Sequence, residues 1–517
     1  MLPLRLGSVD SFCAVKEFLA RAEYSEQAVC ERLGLDRLHE YLSRNEKSQA
    51  PPSAEVSDAL DVLLRVFLLG NSVSRDLLGK FIPSAVWETM EALGILSADP
   101  AQPDQCYSPV ALYPVQGLYI ASDRWKNPDG SAISKDYVFP AMHPLTHDFL
   151  ALLPQSPCDR FLDLCSGTAI AALLASKHYA RQSWAVDITE RSTQFGEFNR
   201  LLNQVSNATV MQGDLYEPVS GIRFDRIVAH PPYVPALESG AIYADGGADG
   251  EFVTRAIVQG LPRFLEPHGR FYCGTMGVER EGEPYEQRVR RWLGAEQSVF
   301  DVLFIAERTQ GPAQFAYRAT RSKKGGWEQM DRWRTHLDRL KIKNLVYGLL
   351  VIQGKESERS AFTARRQKGE HSGAAEAEWL RSWETLWASP SSVERVLQSR
   401  PVTSSDFELH VVHAKRHGEL APAKFTLRIS YPFAVEYECS EWVATLVARC
   451  DGKTTALEHL EAGKREKWIP VDMLNDQFAG TVAALVSRGI LAIEGFEPPS
   501  QTNRHPEPGG LRQPAHP

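Results

Sequence analysis

The chain has 517 residues, of which 43% are hydrophobic and 24% are charged; this composition predicts two to four globular domains and excludes a mainly disordered or collagen-like protein. The formal net charge of −8 excludes a global attraction to nucleic acid, so any polyanion would have to bind a local basic face. The eight cysteines form no CxxC pair or zinc-spaced cluster, and no apolar run reaches membrane-spanning length, so we expect a cytoplasmic protein with no metal, no disulfide framework and no membrane contact.

The first hundred residues carry apolar side chains at helical spacing. This spacing predicts helices over residues 11–21, 25–33, 54–69 and 84–93. A glycine and a short apolar segment follow the last helix, an order that favours a helical, winged-helix-like domain over residues 1–105. Such a domain either recognises a nucleic acid or a partner, or packs as a cap over its neighbour. The acidic residues mixed into it favour the cap.

Between residues 160 and 271 short apolar segments alternate with helical ones. The predicted strands are RFLDL, SWAVDI, NATVMQ, FDRIVA and GRFYCGT, and the predicted helices are IAALLAS, STQFGEFNRLLNQ and EFVTRAIVQGLPRFL. Because strands joined through helices lie parallel, the pattern predicts a doubly wound, mostly parallel, Rossmann-like α/β sheet. We place this domain at residues 106–320, closed by a strand pair at residues 300–306 and 314–319.

The rest of the sequence predicts three further segments. Residues 321–400 are dense in charge and predict a helical segment, with a solvated run, ARRQKGEHSGAAEAE, to which we assign no chemistry. Residues 401–496 combine two alternating strands, FELHVVHA and KFTLRIS, with helices and a closing strand, which favours a C-terminal α+β winged-helix-like domain. The tail at residues 497–517 is rich in proline and glycine and is predicted to be disordered.

The first strand of the predicted sheet runs into a turn of small residues, in FLDLCSGTAIAALLAS. In a doubly wound sheet this turn lets a nucleotide-like ligand approach the backbone, and Gly167 is the residue on which the prediction chiefly depends. Cys165 and Ala169 stand where a dinucleotide-binding turn carries its first and third glycines. The dehydrogenase pattern is therefore not matched, and a cofactor without a pyrophosphate fits better.

The segment DLCSGTA resembles the first motif of class I S-adenosylmethionine-dependent methyltransferases, especially the HemK-like release-factor glutamine methyltransferases and the guanine-modifying ribosomal RNA methyltransferases. The resemblance implies S-adenosyl-L-methionine as the cofactor, with Asp163 close to its methionine end and the backbone of Cys165 and Gly167 passing along it. It also implies that Asp187 accepts hydrogen bonds from both ribose hydroxyls and that Asp214 meets the adenine amine.

The fourth strand is followed by IVAHPPYVP, which is similar to the family's motif of Asn, Asp or Ser, then Pro-Pro, then Tyr or Phe. In that motif the first side chain and a prolyl carbonyl accept the N–H bonds of a planar substrate nitrogen, while the aromatic ring stacks on the substrate. The resemblance therefore implies a catalytic set of His230, Pro231, Pro232 and Tyr233. The histidine departs from the motif, because a neutral imidazole accepts a single hydrogen bond and is also able to act as a base.

Two further segments flank these motifs. Tyr137, Phe139 and Thr146 precede the first sheet strand and are either a lid over the cofactor or part of an ordinary antiparallel lead-in. The loop YADGGADG contains glycines at positions 246, 247 and 250, which we expect to form a flexible rim over the acceptor.

Together the patterns favour an enzyme that transfers a methyl group from S-adenosylmethionine to a nitrogen, as an amine or amide, on a protein, a nucleic acid or a small molecule. A macromolecular acceptor would dock on the flanking domains, whereas a small metabolite would leave them as a lid or a dimer surface; the acidic balance tilts the acceptor away from RNA. The alternative is a non-catalytic protein that binds the cofactor or a macromolecule on a degenerate methyltransferase fold. The retained Asp163, Gly167, Asp187 and Asp214 argue against this alternative.

Overall fold

The computed structural model describes residues 2–41, 55–99, 102–124, 134–238, 240–321, 326–355, 358–404, 407–416 and 419–499. The chain forms two compact units. Met1–Val278 and Pro312–Lys343 form the first unit, and Glu279–Gly311 and Asn344–Pro517 form the second. All the predicted site residues belong to the first unit, which is therefore the one that positions the site.

A sheet of five parallel strands is the centre of the first unit. The strands are β1 (Cys158–Leu164), β2 (Ala180–Asp187), β3 (Ala208–Gln212), β4 (Phe224–Ala229) and β5 (Leu265–Glu279). Their order across the sheet is β5-β4-β1-β2-β3, and each neighbouring pair is parallel. Three helices connect them, α1 (Ile170–His178), α2 (Glu190–Asn203) and α3 (Phe252–Phe264). The predicted doubly wound, mostly parallel α/β fold is confirmed here.

The apolar segments of the sequence form the core of this sheet. In β1 the side chains of Phe161, Leu162 and Leu164 are all fully buried, as expected for a parallel strand that is covered on both faces. Helix α2 packs closely beneath the turn after β1, since a Cβ built on Gly196 would lie 3.2 Å from the Cβ of Ala169. The turn that carries the predicted site therefore rests on a rigid support.

The residues before the sheet form helices and short antiparallel strands. The helices are Val9–Arg21, Glu26–Leu33, Ala59–Leu63, Arg75–Phe81, Ser84–Leu93 and Pro144–Ala151, with a π-helical turn at Leu64–Leu68. The strands Val73–Ser74, Ser97–Asp99 and Gln102–Tyr107 form a small sheet, and Ala111–Val115 pairs with Leu118–Ser122 in a hairpin. The predicted helix start at residue 54 lies outside the described residues, and the winged-helix-like assignment of residues 1–105 stays a prediction.

The second unit contains mixed strands and a helical core. Phe300–Gln310 pairs antiparallel with Asn344–Gly354 and parallel with Thr363–Lys368. Three antiparallel strands follow, Glu408–Arg416, Glu419–Ile429 and Phe433–Cys439, and Val402–Thr403 pairs with Leu491–Ala492. The helices are Tyr285–Trp292, Ala374–Trp387, Ser392–Gln398, Glu441–Arg449, Ala456–Arg465 and Asn475–Val486. The winged-helix-like assignment of residues 401–496 stays a prediction.

Two of the secondary-structure predictions are wrong. The segment predicted as a strand at residues 314–319 is part of the helix Pro312–Thr320, whose buried side chains Phe315, Ala316 and Thr320 share one helical face. The segment predicted as helical at residues 321–400 contains the strands Asn344–Gly354 and Thr363–Lys368. The first of these is buried from residue 345 to 354, and an apolar run without alternation does not distinguish a buried strand from a buried helix.

The charged run ARRQKGEHSGAAEAE also differs from its predicted form. Residues 364–368 of the run belong to the strand Thr363–Lys368 and residues 374–378 belong to the helix Ala374–Trp387. The helix buries Trp379, Leu380 and Trp383 and also the charged Glu376 of the run. Of the tail that was predicted to be disordered, residues 500–517 lie outside the described residues.

Candidate functional site

The polar residues singled out in the sequence follow the carboxyl ends of neighbouring strands. Asp163 lies near the end of β1, Asp187 ends β2, Asp214 follows β3 and His230 follows β4. The chain turns from β1 towards β2 on one side of the sheet and later reaches β4 on the other. In sheets of this kind, ligands bind at the strand carboxyl ends where the strand order reverses. The topology therefore brings these four side chains to one edge.

The turn after β1 has an unusual backbone. Cys165, Gly167 and Ala169 have φ angles of 57°, 53° and 63°, so every second residue is left-handed. Glycine adopts this region freely, whereas other residues pay about 1–2 kcal/mol for it. A Cβ built on Gly167 would meet no atom within 4 Å, so the turn presents bare backbone to open space at that position. This bare backbone is a surface that a ligand is able to approach closely.

Asp187 ties this turn to the end of β2. Its Oδ2 accepts a hydrogen bond of 2.9 Å from the Gly167 N–H, and its Oδ1 accepts one of 3.1 Å from the Thr189 N–H. Burial raises the pKa of Asp187, while these hydrogen bonds act to lower it. The Gly213 N–H donates to the Asp187 carbonyl at 3.0 Å, which holds Asp214 beside it. Oδ1 also accepts a hydrogen bond of 3.3 Å from the Thr189 hydroxyl, whereas Oδ2 keeps a second lone pair for a ligand hydroxyl.

Asp163 is the most deeply buried carboxyl group of the site. It is 3% exposed and accepts a single hydrogen bond within the described residues, from the Ala172 N–H at 3.2 Å. Burial, with a smaller effect from the charge of Asp187, raises the pKa of Asp163 to about 8. The carboxyl group is therefore mostly protonated at neutral pH, and a cation placed beside it would favour its ionisation.

His230 packs between two aromatic rings. Its ring centroid lies 5.1 Å from that of Phe149 and 5.7 Å from that of Tyr233, at interplanar angles of 27° and 31°. Burial, together with nearby His143, lowers the pKa of His230 to about 4. Its Nε2 is shielded from solvent and has no hydrogen-bond partner among the described residues. The site thus presents a neutral imidazole with one unpaired ring nitrogen.

Two adjoining cavities bring the predicted residues together. The larger has a volume of about 540 Å³ and is lined by Asp187, Asp214 and Pro232 among others. The smaller has a volume of about 220 Å³ and is lined by Asp163, Pro231 and Tyr233 among others. Cys165, Gly167 and His230 line both cavities. All nine predicted site residues thus face one of the two spaces, and the two spaces meet at the turn after β1 and at the imidazole.

The roof of the two cavities is made by two segments that are far apart in the sequence. Phe139 and Tyr243 line both cavities, and their rings stack with centroids 5.7 Å apart. Tyr137 lines the larger cavity and Thr146 the smaller. The Ile242 N–H donates to the Lys135 carbonyl at 3.1 Å and ties the two segments together. Residues 134–143 thus cover the site as a lid and form no strand of an antiparallel lead-in.

Sequence reasoning missed Tyr243 and Phe149 as lining residues. Tyr243 lies in YADGGADG, whose glycines were the basis of the prediction, and its pairing with Phe139 spans about a hundred residues of sequence. Close packing explains why the loop contains glycine. Gly250 has a φ angle of 81°, and a Cβ on it would lie 2.4 Å from the carbonyl oxygen of Tyr233. The loop therefore lies directly against the Pro-Pro-Tyr turn.

Asn199 supports the site from helix α2. Its side-chain amide donates to the carbonyls of Ala121 and Thr168 at 3.1 Å and accepts from the Ala121 N–H at 2.8 Å. Asn199 thus bridges the hairpin that precedes the lid and the turn after β1. Asp123 links Val138 to helix α2. It accepts a hydrogen bond of 2.7 Å from Arg191 Nε and one of 2.8 Å from the Val138 N–H.

Neither metal-binding nor membrane-spanning features occur in the described parts of the chain. There, no group of three or more His, Cys, Asp or Glu side chains is arranged to hold a metal ion. No helix within the same residues combines the length and the apolar character needed to cross a bilayer.

Comparison with known proteins identifies the region that carries the site. Residues 144–300 match the family described as "Methyltransferase small domain", and residues 21–105 match a "Domain of unknown function (DUF7059)". A ribosomal protein uL3 glutamine methyltransferase of Bradyrhizobium diazoefficiens is 32% identical over 161 residues, 29% of this chain and 50% of that protein. A release factor glutamine methyltransferase of Yersinia pestis is 33% identical over 164 residues, 29% of this chain and 59% of that protein.

A solved structure is similar over part of the chain. The ribosomal protein L11 methylase of Lactobacillus delbrueckii is 17% identical, covers 41% of this chain and 78% of its own, and has a TM-score of 0.24. The chain spans about half the length of the first curated relatives it matches. The family match covers the β1 turn, the strand-end carboxylates and the Pro-Pro-Tyr motif. Residues 144–300 of this chain, which carry the site, thus match the model of the methyltransferase small domain family.

Proposed function

We propose that the chain is an S-adenosylmethionine-dependent N-methyltransferase and that its acceptor is an uncharged amide nitrogen on a protein. The observation that carries this proposal is the pair of cavities that meet at Gly167 and His230. One cavity has the chemistry to hold a nucleoside, and the other has the shape and polarity to hold a small planar group. The named relatives, which act on glutamine in a ribosomal protein and a release factor, support a protein acceptor.

The residues of the larger cavity fit the cofactor. Asp187 Oδ2 retains a lone pair for a ribose hydroxyl, and the bare backbone of Gly167 leaves room for a ligand against the turn. Asp163 is positioned to pair with a cationic group, which would offset the cost of ionising a buried carboxyl group. When bound, the cofactor supplies an electrophilic methyl group on a sulfonium. The protein's part is to hold that group beside the acceptor and to exclude water.

The smaller cavity fits an uncharged planar acceptor. Its lining is mostly apolar and includes Phe149, Tyr233 and Tyr243. In the proposal the unpaired Nε2 of His230 and the Pro231 carbonyl accept the two N–H bonds of a primary amide, and the Tyr233 ring packs on its plane. Neither cavity has a lysine or arginine among its described lining residues. That absence disfavours a phosphate-bearing acceptor, because nothing there would offset its charge.

The low pKa of His230 defines its role in the proposal. A group with a pKa of about 4 is a weak base at neutral pH, so His230 orients the acceptor as a hydrogen-bond acceptor and does not remove its proton. A side-chain carboxamide at this position would serve equally well, because its oxygen also accepts an N–H bond. The departure from the family's usual residue is therefore compatible with activity.

Methyl transfer is tested with cofactor that carries a tritiated methyl group. The full chain is incubated with separate protein, RNA and small-molecule fractions, and we expect the label in protein, where it survives ribonuclease and is released by protease. Asp187→Ala should abolish labelling because the ribose site is lost, whereas His230→Asn should retain it and His230→Leu should lower it about a hundredfold. Label that stays with RNA after protease treatment would refute the protein acceptor, and a lack of label in every fraction would refute the activity.

A further inference from the structure

Two helices belong to the first unit, although the chain before them and the chain after them both belong to the second unit. These helices are Pro312–Thr320 and Gly326–Arg339. They meet through the rings of Phe315 and Trp333, which pack edge to face with centroids 5.2 Å apart. Trp333 is buried, and the His336 ring lies across it at a centroid distance of 5.9 Å. His336 is thus held in place by a packed aromatic anchor.

His336 reaches the loop that covers the site. Its Nε2 lies 2.7 Å from the carbonyl oxygen of Ala248. Since a carbonyl oxygen only accepts, the imidazole donates this hydrogen bond from Nε2. Arg332, one turn earlier, lies 2.6 Å from Glu238 in the same loop, but both side chains are largely exposed, and exposed ion pairs contribute little. Both contacts are exposed, but the hydrogen bond of His336 goes to the backbone of the loop, whereas the ion pair of Arg332 joins two side chains.

The same loop continues to the Pro-Pro-Tyr turn. The Val234 N–H donates to the Ala244 carbonyl at 2.8 Å, and the Gly246 N–H donates back to the Val234 carbonyl at 2.9 Å. Gly250 packs against the Tyr233 carbonyl so closely that no side chain fits between them. Val234 and Ala244 also line the smaller cavity. A displacement of the loop at Ala248 would therefore move the roof and the catalytic turn together.

We propose that His336 is a positioning residue of the methyl transfer, which holds the loop of residues 234–238 and 240–251 over the acceptor cavity by its hydrogen bond to Ala248. This inference rests on the proposed function, because it assigns the smaller cavity to the acceptor. His336 touches neither cavity among the described lining residues, so its effect on the reaction passes through the loop.

Hydrogen exchange of the full chain tests this role without any need for turnover. In His336→Leu, which cannot donate to Ala248, the amides of Val234 and Gly246 should exchange about fivefold faster, as expected for loss of one hydrogen bond between neutral groups. His336→Gln should restore slow exchange, because its side-chain N–H is able to donate to the same carbonyl. Arg334→Leu is the matched control, since Arg334 lies on the same helix and pairs with Asp331 at an exposed position.

Three outcomes would overturn the positioning role. The first is unchanged exchange in His336→Leu, and the second is exchange in His336→Gln as fast as in His336→Leu. The third is equal acceleration at the amides of β1, which would show general loss of packing. The proposed function fails separately, by absence of methyl transfer in the wild-type chain. If transfer is present, His336→Leu should raise the KM for the acceptor and His336→Gln should lower it again.

Discussion

Replacement of Asp163 by asparagine should stabilise the free protein while it weakens cofactor binding. Asparagine keeps an oxygen for the Ala172 N–H, which donates at 3.2 Å in the native structure, but it carries no ionisable group. In the native chain the pKa of Asp163 is raised from its ordinary value of 3.8 to about 8 by burial. Between these two pH values the unfolded chain is ionised at this position while the folded chain holds a proton.

The size of the effect follows from the two pKa values. The raised pKa contributes stability that is fully present below pH 3.8 and is lost as the pH rises towards 8. At about 1.4 kcal/mol for each pH unit, the loss is about 4 kcal/mol at pH 7 and about 2 kcal/mol at pH 5. Asp163→Asn does not undergo this loss. Its free energy of unfolding, relative to that of the native chain, should therefore increase by about 2–3 kcal/mol between pH 5 and pH 7.

Urea unfolding of the full chain and the variant at pH 5, 6 and 7 measures this advantage, and hydrogen exchange of the β1 amides reports on this unit alone. Asp159→Asn, at an exposed position of the same strand, is the matched control for the removal of one carboxyl group. An Asp163→Asn variant that is no more stable than the native chain, or whose gain is equal at all three pH values, would refute the reasoning. The same variant should bind S-adenosylhomocysteine at least about tenfold more weakly, because the paired carboxylate is lost.

The remaining predictions concern the turn and the imidazole. Gly167→Ala should destabilise the fold by about 1 kcal/mol in thermal unfolding, because the φ angle of Gly167 is 53°. Calorimetry should show at least a tenfold loss of S-adenosylhomocysteine affinity, because the new methyl group enters the space left for the ligand. Unchanged affinity would contradict the proposal that the ligand lies against this turn. Cys165→Gly should stabilise the fold by up to about 1 kcal/mol by removing a left-handed cysteine with a φ angle of 57°, and a lower unfolding midpoint would count against it. Because the pKa of His230 is lowered to about 4, titration of this residue should not change the rate of methyl transfer between pH 5.5 and 7.5. An inflection of the rate in this range that is present in the native chain and absent in His230→Asn would show that His230 acts as a base.

The sequence was sufficient to predict where the polar residues lie at the strand ends because local pattern determines their positions. The strands of the sheet are short apolar segments bounded by helices, and Asp187 and His230 directly end or follow such segments. Parallel topology then brings these ends to one edge without further information. The left-handed conformations of Cys165 and Ala169 also fall where a glycine-rich turn would have its glycines.

Both segments of the roof were singled out in the sequence, but their pairing was beyond sequence reasoning because it depends on contacts between distant residues. Nothing in the local sequence pairs Tyr243 with Phe139, or His336 with Ala248. The misassigned helix Pro312–Thr320 has the same cause. Phe315 and Tyr317 alternate as in a strand, yet Phe315 is buried against Trp333 while Tyr317 is 61% exposed. Packing against a partner, and not the residue pattern, decides the structure there.

A crystal structure of the full chain with S-adenosylhomocysteine tests the central claim most directly. One ligand is expected in the larger cavity, with its ribose hydroxyls bonded to Asp187 and its sulfur facing the smaller cavity beside His230 and Tyr233. A ligand bound elsewhere, or one whose sulfur points away from the Pro-Pro-Tyr turn, would contradict it.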